Sequence, residues 1–131
     1  MANRIQSVQK NVADRPKGHS VSLSGSVSCA IYARCACSKG SRASIRNQIR
    51  ECVRYAEKQH WTIAKDCVVA DIGASGMSFS GRTALRTLMS AAKKRSLSFD
   101  HLLISDIRRL TRNIRDYALI SKHFSDSNVH M

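Results

Sequence analysis

Acidic residues are scarce in this chain: nine Asp and Glu stand against 22 Lys and Arg, a formal charge of +13 in 131 residues. An excess of that size in so short a chain points to a polyanionic partner, DNA or RNA first and an acidic membrane surface second. Aromatic residues make up only 5% of the chain, with one Trp, so the stacking platforms of single-strand binders are poorly supplied and phosphate contacts are favoured over base stacking. No run approaches the ~20 apolar residues that a membrane span needs. The start has no apolar stretch of the signal-peptide kind, so the expected compartment is the cytoplasm. The five cysteines, Cys29, Cys35, Cys37, Cys52 and Cys67, are odd in number and mostly lie in apolar runs. They read as free thiols rather than a disulfide framework.

The length leaves room for one domain with a modest core. Residues 1–27 show no helical or strand period and hold the only proline, Pro16, which predicts a disordered basic leader. From residue 28 the pattern sharpens. Cys29 to Ala33 reads as a strand, and Ser44 then caps a helix with Ile45, Ile49, Cys52, Val53 and Ala56 on one face. Trp61 to Ala70 is strand-like, and the Gly/Ser loop "DIGASGMSFSGR" leads to a helix with Ala84, Leu85, Leu88, Met89 and Ala92 aligned. "HLLISD", 101–106, reads as a buried strand. The basic turn "IRRLTRN" then precedes a last helix carrying Ile114, Tyr117, Ala118, Leu119, Ile120 and Phe124. Three strand–helix units in sequence predict a doubly wound, three-layer α/β fold, a mostly parallel sheet with helices on both faces. The domain is expected over 28–125, with 126–131 as a tail.

Ligands of such sheets bind beyond the C-terminal strand ends, so the loops 34–43, 71–82 and 106–112 share one rim. They carry Arg34, Lys39, Arg42, Asp71, Arg82, Asp106, Arg108, Arg109 and Arg112. A solvated basic surface accounts for any one of these arginines. Their convergence on one rim favours phosphate binding, because guanidinium groups stay charged and grip phosphate oxygens bidentately. One reading of the rim is a nucleotide site: "GMSFSGRT", 76–83, fits G-x-x-x-x-G-K-[ST] except that Arg82 replaces the lysine, and "LLISD" mimics a strand ending in a Mg²⁺-holding Asp.

The other reading takes the three loops together. "IYARCACSKGSRASIRNQIREC", "DIGASGMSFSGRTALRTLM" and "SDIRRLTRN" resemble, in order and spacing, the N-terminal catalytic domain of the resolvase/invertase family of serine recombinases, over about residues 29–124. That family shows Tyr-x-Arg-x-Ser at the first strand end, Ser-Ile/Leu-x-x-Gln opening the first helix, Asp-x-x-x-Ser-Gly then Arg after the second strand, and Arg-Leu-x-Arg after the third. The resemblance implies a site-specific DNA recombinase in which a serine attacks the scissile phosphate and forms a phosphoserine link. Strands are then exchanged within a tetramer and religated, with no metal, nucleotide or other cofactor. It further implies that Arg34, Arg82, Arg108, Arg109 and Arg112 bind DNA phosphate, that all of these but Arg108 serve catalysis, and that Gln48, Asp71 and Ser75 order the site. A metal-free phosphoryl transfer agrees with this supply of arginines, since its spread negative charge must be met by fixed cations.

The pattern breaks at one position. Two residues after Arg34, where the family carries its nucleophile, this chain has Ala36, and a methyl group cannot attack phosphorus. Cys35, Cys37 and Ser38 are close, but a one-residue shift in a turn redirects a side chain by several Å, outside the tolerance of an in-line displacement. Arg108 stands where many relatives have Asp. The chain also stops at "SDSNVHM", where relatives continue into another strand, a dimerising helix and a DNA-binding domain. The expectation is therefore a DNA-binding recombinase domain that is inactive as written. Its alternatives are a regulatory fragment joining inactive mixed oligomers with an intact recombinase, and the nucleotide site.

Overall fold

Apolar runs alternating with amphipathic stretches fold as strands alternating with helices. The computed structural model describes residues 26–36, 41–73, 81–96 and 98–131, so nearly all of the leader, along with Cys37, Ser38, Lys39 and Ser75, lies outside the described residues. Strand β1, Ser28–Cys35, is the centre of a parallel sheet, between β2, Thr62–Ile72, and β3, His101–Leu103. Helix α1, Ser41–Lys58, follows β1, and α2, Thr83–Lys94, follows β2. A short α3, Ile107–Leu110, and then α4, Ile114–Asp126, follow β3.

A central strand is covered on both faces, which is why β1 is almost uniformly apolar. Its alternating side chains feed two cores. Ile31 and Ala33 pack with Val68 and with Ile45, Ile49, Cys52 and Val53 of α1. Ala30 and Tyr32 pack on the other face with Leu85, Leu88 and Ala92 of α2, Leu102, and Ile120 and Phe124 of α4. The result is a three-layer α/β sandwich, a parallel sheet with helices on both faces.

The elements depart from the sequence pattern at their ends. Helix α1 begins before Ser44, whose hydroxyl accepts a hydrogen bond from Gln48 Nε2 at 3.1 Å rather than capping the helix. "HLLISD" is strand only to Leu103. Asp106 leaves the strand to cap α3, accepting from the Arg108 backbone N–H at 2.7 Å. On α4 the buried face is set by Ile120 and Phe124, four residues apart, while Ile114 is 82% exposed and Leu119 62% exposed. The expected tail folds back: Asn128 takes a left-handed φ of 60° and Val129 is buried. His130 then pairs in parallel with His101, its carbonyl accepting from the Leu102 N–H at 2.8 Å.

Candidate functional site

The rim forms where β1 and β2 end together. Their register sets Arg34 opposite Asp71 and Cys35 opposite Ile72. The Gly73 N–H donates to the Cys35 carbonyl at 2.7 Å, with Gly73 at φ 74°, a left-handed turn that glycine makes without strain. Ala36 follows directly, in an exposed bend.

Asp71 is buried beneath this rim and does three jobs. Its carboxylate accepts from the backbone N–H groups of Ala84 at 2.8 Å and Leu85 at 3.1 Å, and from the Tyr32 hydroxyl at 2.9 Å. Helix α2 has no capping side chain of its own at Arg82; an aspartate from the strand end supplies both the missing acceptor and the negative charge that a helix N-terminus favours. Tyr32 links this carboxylate to Arg82, whose Nε and Nη2 donate to the hydroxyl at 3.3 and 3.2 Å. Burial, with Asp71 adding and Arg82 opposing, raises the Tyr32 phenol well above its ordinary range.

The buried arginines converge on one target. Arg82 is 0% exposed, and its Nη2 also donates to the Leu110 carbonyl. Arg34 is 2% exposed and donates through Nε to the Arg109 carbonyl at 2.9 Å and through Nη2 to the Arg108 carbonyl at 2.7 Å. Three successive carbonyls at the end of α3 are thus held by two guanidinium groups, cations where a helix C-terminus favours them. Burial lowers the Arg34 guanidinium from its ordinary value; Arg82, Arg112 and Arg109 add to this and Tyr32 opposes it. Gln48, also buried, fixes the backbone of Arg34 from α1: its Oε1 accepts from the Arg34 N–H at 3.1 Å and its Nε2 donates to the Arg34 carbonyl at 3.0 Å.

With the end of α3 held in this way, Arg108, Arg109 and Arg112 line an open cavity of about 540 Å³, faced across by Ser44, Asn47 and Gln48 of α1. Arg108 is engaged there by Asp106, its Nη2 donating at 2.9 Å and its Nε at 3.1 and 3.3 Å. These side-chain bonds, then the Arg108 backbone N–H, hold the Asp106 carboxyl down at about 2. Arg112 is exposed and Arg109 partly so.

The sequence-based site residues therefore separate into two layers. Arg34, Arg82, Gln48 and Asp71 form a buried frame, and Arg109 and Arg112 stand at the open cavity with Arg108 beside them. Tyr32, the hub of the frame, was missed as a site residue, although a lone hydroxyl in an otherwise apolar buried strand must find a partner. The nucleotide-site reading loses its cation, because Arg82 turns into the domain toward Tyr32 and Leu110. Its acid is also engaged, since Asp106 caps α3 and pairs with Arg108.

The family model described as the resolvase N-terminal domain matches residues 29–131. The fold is similar to the C-terminal catalytic domain of ISC1926 TnpA, an IS607-like serine recombinase, at 31% identity and TM-score 0.66, covering 79% of this chain and 67% of that one. It is similar to the N-terminal catalytic domain of TP901-1 integrase at 26% identity and TM-score 0.68, covering 79% and 76% respectively. No curated protein sequence matches the chain.

Proposed function

The chain belongs to the resolvase family of serine recombinases, and from that premise we propose that it holds DNA phosphate at the strand-end rim without the group that would cut it. In this reading Arg109 and Arg112 receive the phosphate in the open cavity. Arg34 and Arg82 are positioning residues: they clamp the carbonyls of Arg108, Arg109 and Leu110, so the loop presents its guanidinium groups at one fixed place. Gln48 and Asp71 hold the frame in turn, and Ser75 is assigned a supporting role by its place in the family motif. The covalent step needs a nucleophile beside that phosphate, and the position two residues beyond Arg34 is filled by Ala36. The domain then binds and orients a phosphodiester, and the bond stays intact.

The observation that carries this reading is the division of labour among the arginines: Arg34 and Arg82 are buried and donate to backbone carbonyls underneath, while Arg109 and Arg112 line the cavity above, beside the Asp106-paired Arg108. Removing the upper pair tests it. Arg109→Gln with Arg112→Gln leaves the backbone carbonyls in place. It is expected to weaken binding to duplex DNA and to make the log–log salt slope shallower by ~1.8, two phosphate contacts' worth. Fluorescence anisotropy against salt measures both, and an unchanged slope in the double variant contradicts the reading.

A further inference from the structure

We propose that the outer ridge of α1 is a second DNA-phosphate track, one that carries the duplex away from the rim; it rests on the recombinase reading above. Arg42, Arg46, Arg50, Arg54 and Lys58 recur every fourth residue along α1, and all five are exposed. The inward face of the helix is taken by Ile45, Ile49, Cys52, Val53 and Ala56. The cations therefore form one exposed row of the i±4 kind, inclined to the helix axis by roughly 26° and winding from the flank of the buried face at Arg42 to the outer face at Arg54. Sixteen residues at 1.5 Å each make that row about 24 Å long, roughly seven nucleotides of rise along one strand at ~3.4 Å.

The row works against its own helix. Like charges four residues apart repel on a helix surface, and none of these five is in an ion pair among the described residues. Of the two acids on the helix, Glu51 lines the cavity on the β3 side, and only Glu57 lies near the far end of the row. An arrangement that costs the isolated helix stability is relieved by anions arriving from outside at matching intervals, which a DNA strand supplies. The row also starts in the right place: Arg42 stands at the rim end of α1, and the other four lead away from it.

The test compares two triple variants of equal charge loss in binding to a short random-sequence duplex. Arg46→Gln, Arg50→Gln and Arg54→Gln remove the middle of the row. Arg86→Gln, Lys93→Gln and Lys94→Gln remove exposed cations from α2, on the opposite face of the sheet. The α1 variant is expected to have a salt slope shallower by ~2.7, so the native protein's advantage over it shrinks about 40-fold between ~50 and ~200 mM salt. The α2 variant is expected to shift the slope by less than one contact. Equal losses from the two variants, no loss from the α1 variant, or loss of binding to anionic lipid vesicles with duplex affinity unchanged, overturns the proposal. Failure of the native chain to bind any duplex removes the phosphate-holding function proposed above. Circular dichroism of each variant is the check that it stays folded.

Discussion

At the scale of residues, the informative unit is the buried chain Asp71–Tyr32–Arg82, joined through the Tyr32 hydroxyl. Each polar group in it would be costly alone in the core, and each is satisfied by the next. Tyr32→Phe removes one donor and one acceptor at once and is expected to cost about 1–2 kcal/mol in urea unfolding. Asp71→Ala also strips the start of α2 of its acceptor and is expected to cost about 3 kcal/mol. Asp106 lies outside this network and is held by Arg108. Its folded value near 2 lies below the ordinary ~3.9, so its contribution is complete above ~3.9 and is lost as pH falls through about 2. Carboxyl NMR should place its midpoint near pH 2, and Arg108→Ala should move that midpoint upward. Arg34 and Arg82 were picked out by the motif, but their partners were not. The carbonyls they hold come from 75 and 28 residues further along the chain, a distance over which no local pattern carries information.

At the scale of elements, the strands and helices followed from period and apolar content, and the errors fell where one element depends on another. Strand β3 ends opposite Ile31, yet β1 continues four residues to Cys35. Along that extension the Gln48 amide binds the Arg34 backbone as a neighbouring strand would. No sequence period announces that a helix side chain will substitute for a strand, although the Ser-Ile-x-x-Gln motif marked Gln48. Gln48→Leu keeps the volume and removes both bonds. It is expected to destabilise the domain by about 2 kcal/mol, because the Arg34 N–H and carbonyl are left buried without that partner. For α4 the apolar content was clear in the sequence but the buried stripe was not: Ile120 and Phe124 meet α2 and β1, while Ile114 and Leu119 are exposed.

At the scale of the whole molecule, charge and fold act together. A net +13 has no stabilising role in the two cores, which are apolar around β1. At the strand ends part of that charge lines an ordered cavity, because the buried Arg34 and Arg82 hold the carbonyls of α3 beneath it. That overall plan was readable from the alternation of strands and helices and from three motifs in register; the two-layer use of the arginines required the tertiary structure. On the function proposed above, the rim holds a scissile phosphate and lacks only the attacking oxygen. In Ala36→Ser, the serine Oγ would give up its proton and form the new O–P bond as the bond to the deoxyribose oxygen breaks and that oxygen takes up a proton. The direct measurement is a denaturing gel of the native chain and Ala36→Ser, each incubated with supercoiled DNA carrying the sequence that flanks its gene. The account expects a covalent protein–DNA adduct from Ala36→Ser and none from the native chain. An adduct from the native chain, or none from Ala36→Ser while it binds the same DNA, would contradict it.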